Sequence, residues 1–287
     1  MTATVHPPHE AVREAVERAI AEDLLPLGDL TGALVDEVAV TGAVVAREPG
    51  VVAGCRAATE AFAQVDGDVG LRWHLDDGDP VEAGGQIAEV SGRLASLLAA
   101  ERTALNFLGH LSGIATETRR YVEAAGGVGV WDTRKTTPGL RALEKAAVRA
   151  GGGANHRANL SDWVMLKDNH LAGVGITEAV RRARATWPGR TVHVECDSLA
   201  QCKEAAAAGA DAILLDNMDP DEARRCVEAI RDADPDRAIL VEASGGVRLD
   251  TVAAYADTGI DMVSVGAITN AAPVLDVGLD IDRGSGG

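Results

Sequence analysis

The spacing of apolar residues divides the chain into two regions with different organisation. Up to about residue 112, helix and strand patterns follow one another without a repeating order. Apolar residues recur at helical spacing from His9 to Glu22, and the segments 42–47 and 51–54 are short β-rich runs. A row of leucines then marks one face of a long helix: Leu94, Leu97, Leu98, Leu105, Leu108 and Leu111. This pattern predicts an α/β sandwich domain at residues 1–112, ending in a helical connector.

From about residue 128, short β-rich runs alternate with alanine-rich helical stretches. The predicted strands are 128–132, 163–167, 191–196, 212–216, 238–243 and 261–265. The predicted helices are 177–186, 199–208, 220–233 and 249–258. This alternation is typical of a parallel sheet, and its steady repetition favours a barrel over an open sheet. We therefore predict a C-terminal α/β barrel at residues 113–287, with residues 274–287 as a tail that returns to the N-terminal domain.

Charged residues, hydroxyls and glycines lie where the predicted strands end. The residues concerned are Arg134, Lys135, Lys167, Glu195, Asp216, Ser244, Gly245, Gly246 and Gly266. The carboxyl ends of parallel strands share one rim of a barrel, and barrel active sites are built at that rim. The sequence therefore predicts that these residues meet in a site at the C-terminal face.

Overall charge restricts the class of ligand and where it can bind. The chain has 287 residues, a hydrophobic fraction of 46% and a formal charge of −17. This composition is typical of a packed globular protein, and the negative charge disfavours nucleic acid and anionic membranes as partners. The segment 131–170 is different, because its basic residues outnumber its acidic ones. An anionic ligand is therefore expected to bind there.

The remaining composition indicates a protein without structural metal or membrane anchor. The four cysteines, Cys55, Cys196, Cys202 and Cys226, lack the spacings of zinc sites. The first residues have neither the basic start nor the apolar stretch of a signal peptide, and no apolar run reaches membrane-spanning length. We therefore predict a cytoplasmic protein.

Two glycine-containing turns, at 243–247 and 265–267, follow the last two predicted strands, and each precedes a plausible helix start. Glycine lets backbone N–H groups approach a phosphate, and a helix N-terminus adds partial positive charge. The alternative is that these glycines only make tight strand-to-helix turns. Because two such turns follow the final strands, we favour phosphate binding. Its predicted residues are Ser244, Gly245, Gly246, Val265, Gly266 and Ala267.

Cations and hydroxyls are interleaved in the segments 133–139 and 155–157. They supply Thr133, Arg134, Lys135, His156 and Arg157 as candidate anion contacts. Arginine binds carboxylate or phosphate through two parallel hydrogen bonds. Only four of the 27 basic residues are lysines, which suggests that Lys135 and Lys167 serve as compact charges or proton donors. A solvated basic loop and a chance distribution of lysine are the alternatives.

Glu195 and Asp216 lie one predicted βα unit apart, so their carboxylates can converge on one ligand. Such a pair can hold ribose hydroxyls, directly or through Mg²⁺. Capping of the next helix is the alternative, especially for Asp216, which precedes Asn217. His156 and His170 lack the spacing of a zinc protease, and we predict that His156 contacts an anion or substrate and that His170 is structural.

These motifs resemble those of the quinolinate phosphoribosyltransferase family over nearly the whole chain. The matching segments are Glu22-Asp-Leu, Gly28-Asp-Leu-Thr31, Gly50-Val-Val-Ala-Gly54, Asp77-Gly-Asp79, 101–113 (ERTALNFLGHLSG), 132–139 (DTRKTTPG), 151–157 (GGGANHR), Lys167-Asp-Asn-His170, Val194-Glu-Cys-Asp197, Leu214-Leu-Asp-Asn217 and Ser244-Gly-Gly246. The resemblance implies an N-terminal α/β sandwich, a C-terminal barrel with fewer than eight regular strands, and a homodimer with sites between subunits. The implied reaction joins quinolinate and phosphoribosyl pyrophosphate, with Mg²⁺, to give nicotinate mononucleotide, pyrophosphate and CO₂ in NAD biosynthesis.

The resemblance also implies a role for each matching residue. The dicarboxylate and diphosphate would be held by Arg102 of the partner subunit together with Arg134, Lys135, His156, Arg157 and Lys167. The ribose and its metal would be held by Glu195 and Asp216, which with Lys135 are the implied catalytic residues. The 5′-phosphate would be held by Ser244, Gly245, Gly246 and Gly266. Both substrates are polyanions and the reacting ribose becomes cationic, so cations and carboxylates in one site suit this chemistry.

One position departs from the family pattern, and two other functions remain open. Asn159 stands where the family motif commonly has glycine, and asparagine tolerates a left-handed backbone, so we expect the loop to keep its shape. A related barrel transferase acting on a different ring acid is one alternative. A non-catalytic phosphosugar sensor is the other, and it would be expected to lose Lys135, Glu195 or Asp216, all of which are present.

Overall fold

The computed structural model describes residues 6–233, 235–236 and 238–282, which form two compact units. The first unit contains the described residues of Met1–Arg119, Thr136–Gly152 and Ile268–Gly287. The second contains those of Arg120–Lys135 and Gly153–Ala267. Each unit combines segments from different parts of the chain. The predicted domain boundary at residue 112 therefore stays a prediction.

The first unit is built on an antiparallel sheet. Its elements are α1 (His9–Leu24), β1 (Ala39–Ala46), β2 (Gly50–Val51), α2 (Cys55–Val65), β3 (Gly70–Trp73), β4 (Pro80–Val81), β5 (Gln86–Arg93), α3 (Leu94–Ala124, whose last residues are counted with the second unit), α4 (Arg141–Ala150) and β12 (Val277–Asp282). A short 3₁₀ turn, Gly32–Leu34, follows α1. Four strands form a sheet in the order β12-β1-β5-β3, and β2 pairs with β4. The last described strand thus pairs antiparallel with β1, from Thr41 to Ala46.

Alternating burial explains why the first unit forms this sheet. Along the second half of β1, Val44 and Ala46 are buried and the residues between them are less so. This period of two is typical of a strand with one face on a core and one nearer solvent. Helix α2 buries Ala58, Ala61 and Phe62, which lie three or four residues apart on one helical face.

The second unit is built on a parallel sheet with intervening helices. Its elements are β6 (Gly129–Trp131), β7 (Val164–Leu166), α5 (Asp168–Leu171), α6 (Ile176–Thr186), β8 (Val192–Cys196), α7 (Leu199–Ala207), β9 (Ala212–Asp216), α8 (Pro220–Ala233), β10 (Leu240–Ser244), β11 (Met262–Ser264) and α9 (Ala267–Asn270), which begins at the unit boundary. The strands pair in the order β6-β11-β10-β9-β8-β7, and every pair is parallel. The α/β fold with fewer than eight regular barrel strands is confirmed.

Burial on both faces explains the apolar runs of these strands. Residues Ala212 to Leu215 of β9 are all buried, as expected for a parallel strand covered on each side. Helix α8 buries Ala223, Val227 and Ile230 on one face and packs against α7, which lies against β8 and β9. No helix among the described residues is both long enough and apolar enough to cross a membrane.

The segment 249–258 differs from its prediction as an α-helix. It contains a 3₁₀ helix from Val252 to Thr258, ended by Gly259 in a left-handed conformation. Thr258 Oγ1 donates a hydrogen bond to the carbonyl of Tyr255, three residues earlier, at 2.8 Å. In a 3₁₀ helix the backbone hydrogen bonds join residues three apart, and short helical stretches adopt this form readily. An alanine-rich composition does not distinguish a 3₁₀ helix from an α-helix.

Candidate active site

Residues at the carboxyl ends of the six parallel strands line one cavity of about 500 Å³ in the second unit. Eleven of the residues predicted from the sequence line it: Thr133, Arg134, Lys135, His156, Arg157, Lys167, Glu195, Asp216, Ser244, Gly245 and Gly246. Residues that follow both edge strands, β6 and β7, are among them, so the sheet curves around the cavity. The structure thus brings together side chains that are distant in the sequence.

Strand register places the polar residues side by side. Ser264 at the end of β11 pairs with Ser244 at the end of β10, which in turn pairs with Asp216 at the end of β9. The hydroxyls of the two serines are 2.9 Å apart, with Ser264 donating. Because neighbouring parallel strands end at the same edge, three consecutive strands deliver an unbroken row of oxygen atoms.

Two guanidinium groups, those of Arg134 and Arg157, line the same cavity. Arg157 is buried, and its burial lowers the pKa of its guanidinium from the ordinary value, with the neighbouring charge of Arg134 as the next cause. Arginine stays protonated in proteins, so the charged form of Arg157 is held at a cost, chiefly through loss of solvation and secondly through repulsion from Arg134. An anion bound between Arg134 and Arg157 would relieve that repulsion.

Two lysines stand at other points of the rim. Lys167 forms an ion pair with Glu195, and both side chains line the cavity. The backbone N–H of Lys135 donates to Thr133 Oγ1 at 3.0 Å. A β-carbon at Gly266 would lie 2.9 Å from Lys135 Cδ, so the absence of a side chain there lets Lys135 pass. Gly266 therefore shapes the rim although it does not line the cavity.

The buried carboxylate of Glu242 lies within hydrogen-bond distance of His156. Glu242 Oε2 lies 3.2 Å from His156 Nε2 and 3.4 Å from His193 Nε2, and all three residues are buried. Burial alone would raise the pKa of Glu242, but hydrogen bonding to His156 and the two imidazoles nearby lower it overall. Burial lowers the pKa of His193 to about 4, so this ring is neutral at neutral pH. One nitrogen of each imidazole and one carboxylate oxygen of Glu242 lie within 4.8 Å of one another. In this arrangement Glu242 orients His156.

Asp132 holds the segment that carries His156 and Arg157. Its carboxylate is fully buried and accepts hydrogen bonds from Asn155 Nδ2 at 2.7 Å and from the backbone N–H of His156 at 2.8 Å. Each oxygen of this buried carboxylate thus accepts an N–H group, as buried polar groups require. Asp132 therefore sets where the anion-binding side chains begin.

Four predicted residues lie outside the cavity lining. Arg102 is on α3 in the first unit, with 74% of its side chain exposed and an ion pair to Glu101. Val265 is buried, and its backbone N–H donates to the carbonyl of Trp131. Gly266 follows it, and Ala267 begins α9, which is only four residues long.

One expectation about loop conformation was wrong. No helix follows Ser244–Gly246 directly, since the next helical residues are Val252–Thr258 in a 3₁₀ helix, so any phosphate there must rely on backbone N–H groups without a helix dipole. That the loop at Asn159 keeps the shape of the family loop stays a prediction; Asn159 itself does not have a left-handed backbone. Its side-chain oxygen instead accepts the N–H of Ser161 at 2.7 Å, which closes a turn that glycine cannot make.

His170 has the structural role that the sequence predicts. Its Nδ1 accepts a hydrogen bond from the backbone N–H of Lys167 at 3.1 Å and caps α5. This contact also holds the backbone of Lys167 at the end of β7.

The structure adds candidate site residues that the strand pattern did not predict: Asp132, His193, Asn217, Glu242 and Ser264. A usable signal existed for two of them. Glu242 and His193 are single polar residues inside apolar strand runs, Val241-Glu-Ala243 and Val192-His-Val194. A charge in a strand buried on both faces requires a partner, and so indicates a nearby polar site.

Fold and site together define a class of protein: a parallel α/β protein that binds a multiply charged, phosphorylated ligand at the C-terminal ends of its strands. Comparison with known sequences makes the assignment specific. Family models match residues 29–112 as "Quinolinate phosphoribosyl transferase, N-terminal domain" and residues 114–280 as the corresponding C-terminal domain. The chain belongs to the quinolinate phosphoribosyl transferase family.

Individual relatives agree with this assignment. The nicotinate-nucleotide pyrophosphorylase [carboxylating] of Mycobacterium leprae is 42% identical over 279 residues, covering 95% of this chain and 98% of the relative. The human protein of the same name is 43% identical over 242 residues, covering 82% and 80%. The structure of the nicotinate-nucleotide pyrophosphorylase from Francisella tularensis superposes with a TM-score of 0.91 at 35% identity, covering 97% of this chain and 99% of that one.

Proposed function

We propose that this protein transfers the phosphoribosyl group of phosphoribosyl pyrophosphate to the ring nitrogen of quinolinate, with loss of CO₂, to form nicotinate mononucleotide and pyrophosphate. The observation that carries the proposal is the combination, in one cavity, of four cationic side chains with the carboxylates of Glu195 and Asp216 and a glycine turn. Family membership supports the same reaction.

The cations suit two polyanionic substrates. Arg134 and Arg157 both line the cavity, and a dicarboxylate that bridges them pairs with both guanidinium groups. Each charge-assisted hydrogen bond to a carboxylate contributes about 1.5–3 kcal/mol. His156, held by Glu242, offers a further contact to the ring acid. Lys135 and Lys167 then remain for the diphosphate.

The carboxylates suit the reacting sugar. As the C–O bond to diphosphate breaks and the bond from the ring nitrogen forms, positive charge develops on the ribosyl carbon, and Glu195 and Asp216 stabilise it. Lys167 is paired with Glu195, and we infer that the diphosphate draws this lysine away and frees the carboxylate for the ribose.

Mg²⁺ fits the donor set as a cofactor. Glu195 and Asp216 provide hard oxygen ligands in the same cavity, and Mg²⁺ is commonly held by one or two carboxylates together with substrate phosphates. When bound, the ion would neutralise charge on the leaving diphosphate. The protein residues would orient the ribose and place the diphosphate beside Lys135.

The 5′-phosphate would lie at the turn Ser244–Gly246. Gly245 and Gly246 both have positive φ, 85° and 66°, which directs successive backbone N–H groups to one side of the chain. The Ser244 hydroxyl, held by Ser264, lies next to them. Val265, Gly266 and Ala267, predicted for the same phosphate, do not line the cavity, and Gly266 contributes by leaving room for Lys135.

Decarboxylation follows from quaternisation of the ring. Once the nitrogen carries the ribosyl group, the ring is cationic and accepts the electron pair of the breaking bond between ring carbon and carboxylate. CO₂ leaves, and a proton takes its place on that carbon. This step requires no covalent bond to the protein, and Lys135 is the side chain that we assign to supply the proton.

We also propose that the active form is a homodimer in which Arg102 enters the neighbouring site. The exposed position of Arg102 on α3 supports this arrangement. Four large apolar side chains of the first unit, Leu25, Leu27, Leu30 and Leu34, are each at least 65% exposed, which is typical of a surface that binds another chain.

The reaction is tested by measuring CO₂ and pyrophosphate release from purified protein with quinolinate, phosphoribosyl pyrophosphate and Mg²⁺. We expect equal amounts of both, with accumulation of nicotinate mononucleotide. Nicotinate offered in place of quinolinate is the control acceptor, and a preference for nicotinate would contradict the proposal. If Lys135→Ala or Glu195→Ala kept turnover within about twofold of the wild type, catalysis by this rim would be wrong.

The shared site is tested by mixing two inactive variants, Arg102→Ala and Glu195→Gln. In a mixed dimer one site receives both intact residues, so re-association of equal amounts is expected to restore about a quarter of the wild-type activity. No recovery, with mixed dimers demonstrated by mass, would show that Arg102 acts within its own subunit or not at all. Arg72→Ala, at an exposed ion pair on β3, is the matched control.

A further inference from the structure

Asn217 has a backbone conformation unlike that of any other non-glycine residue among those that the structure describes. Its φ is 54°, in the left-handed region. It follows the last residue of β9 and lines the cavity between Asp216 and the glycine turn. Side chains with a β-carbon enter this region at a cost, and residues held there cluster at functional sites.

The left-handed turn directs the Asn217 side chain back to Asp216. The amide nitrogen Nδ2 donates to Asp216 Oδ2 at 2.8 Å. One carboxylate oxygen of Asp216 is therefore held by the protein, and the other is left for a ligand.

The same turn locks Asn217 to the glycine turn on the neighbouring strand. The backbone N–H of Asn217 donates to the carbonyl of Ser244 at 2.9 Å. A β-carbon at Gly245 would lie 2.4 Å from Asn217 Oδ1 and 2.9 Å from Asn217 N. The two loops are thus in direct contact, and only glycine fits at residue 245.

We propose that Asn217 is a positioning residue that couples the ribose-binding carboxylate to the phosphate-binding turn. Its side chain orients Asp216, and its backbone fixes the distance between Asp216 and Ser244–Gly246. A phosphoribosyl group carries its hydroxyls and its 5′-phosphate on one short, covalently linked frame, so a residue that sets the distance between the two binding sites matches two contacts to one ligand. The assignment of these contacts rests on the proposed function.

The experiment separates the side chain of Asn217 from its backbone. Asn217→Gly keeps access to the left-handed conformation and removes the amide, whereas Asn217→Ala removes the amide and disfavours the conformation. Binding of phosphoribosyl pyrophosphate with Mg²⁺, and of quinolinate alone, is measured by calorimetry. We expect Asn217→Gly to weaken donor binding about tenfold, the loss of one hydrogen bond to a charged group, and Asn217→Ala to weaken it more. Quinolinate binding is expected to stay within about twofold for the Gly variant.

Asp219→Ala is the matched control, because Asp219 belongs to the same loop. Its carboxylate accepts the N–H of Glu222 at 2.8 Å and caps α8, and Asp219 does not line the cavity. We expect this variant to lower the thermal unfolding midpoint while donor affinity stays unchanged. A merely structural role for Asn217 predicts the same behaviour for both loop variants.

The crystal structure of Asn217→Gly provides a readout that needs no ligand. We expect the Asp216 carboxylate to reorient while Ser244–Gly246 keeps its conformation. If Asp216 keeps its orientation, or if Asn217→Gly binds the donor as the wild type does, the positioning role is refuted. If the wild type binds no donor, the proposed function fails, and the orientation of Asp216 in the variant still decides whether Asn217 positions it.

Discussion

Gly245 and Gly246 offer a matched pair of substitutions that isolates the packing of the phosphate turn. Both have positive φ, so alanine at either position is strained by about 1–2 kcal/mol. A β-carbon at Gly246 would meet no atom within 4 Å, so Gly246→Ala is expected to cost only that strain. At Gly245 the β-carbon would also overlap Asn217, and because one of the overlapping atoms is backbone, the loop must shift. Overpacking of this kind adds about 1–3 kcal/mol.

We therefore expect Gly245→Ala to destabilise the protein by about 2–5 kcal/mol and Gly246→Ala by about 1–2 kcal/mol. Urea unfolding followed by tryptophan fluorescence measures the difference, since Trp131, Trp163 and Trp187 all lie in the second unit. Calorimetry with phosphoribosyl pyrophosphate measures the accompanying loss of affinity. Equal destabilisation by the two variants would show that contact with Asn217 does not limit residue 245, and would refute the packing argument.

Three further predictions concern charge. Arg157→Ala is expected to raise the KM for quinolinate at least tenfold, because a charge-assisted contact is lost. The surface variant Arg182→Ala is the control and is expected to keep the steady-state kinetics of the wild type. An unchanged KM in Arg157→Ala would show that this residue is not part of the site. Glu195→Gln is expected to lower kcat about a hundredfold by removing stabilisation of the cationic ribose, and single-turnover kinetics would contradict this if the chemical step kept its rate. The folded pKa of His193 lies near 4 against an ordinary 6.5, so the unfolded state binds the extra proton between these values, and stability falls as pH falls through that window. The loss is expected to reach about 3 kcal/mol near pH 4 in urea titrations and to be absent from His193→Gln; identical pH profiles would refute the assignment.

The positions of most site residues followed from the period of the strands. Apolar runs predicted strands that end close to Lys167, Glu195, Asp216 and Ser244, and parallel strands must end at one edge. The cavity lining confirms that these residues meet. Their individual roles in binding and catalysis stay predictions.

Residues that act by holding another side chain or backbone segment could not be predicted in the same way. Asp132 and Glu242 are polar groups whose partners lie far away in the sequence, at 155–156 and at 156 and 193. Periodicity assigns such residues to a strand face but does not say which group from another strand faces them. The left-handed turn at Asn217 also depends on a neighbour, since it is stabilised by contact with Ser244.

Loop geometry was the least predictable part. Ser244–Gly246 has turn chemistry, but whether a helix begins after it depends on how the next residues pack, and here a 3₁₀ helix forms several residues later. Asn159 could adopt either a left-handed backbone or a side-chain turn, and it adopts the side-chain turn. The carboxylate of Asp162, which accepts the N–H of Ala158 at 2.6 Å, lies in the same loop.

The amino-acid pattern was enough to predict the α/β class, the parallel order of the second region and the set of charged residues at strand ends, because hydrophobic period and strand direction are local properties of the chain. Which charges are paired, which are buried and which face an open cavity became known from the folded structure. These properties depend on distances between residues remote in sequence, as with Lys167 and Glu195 or His156 and Glu242, and electrostatic energies follow those distances and the local burial rather than the order of residues.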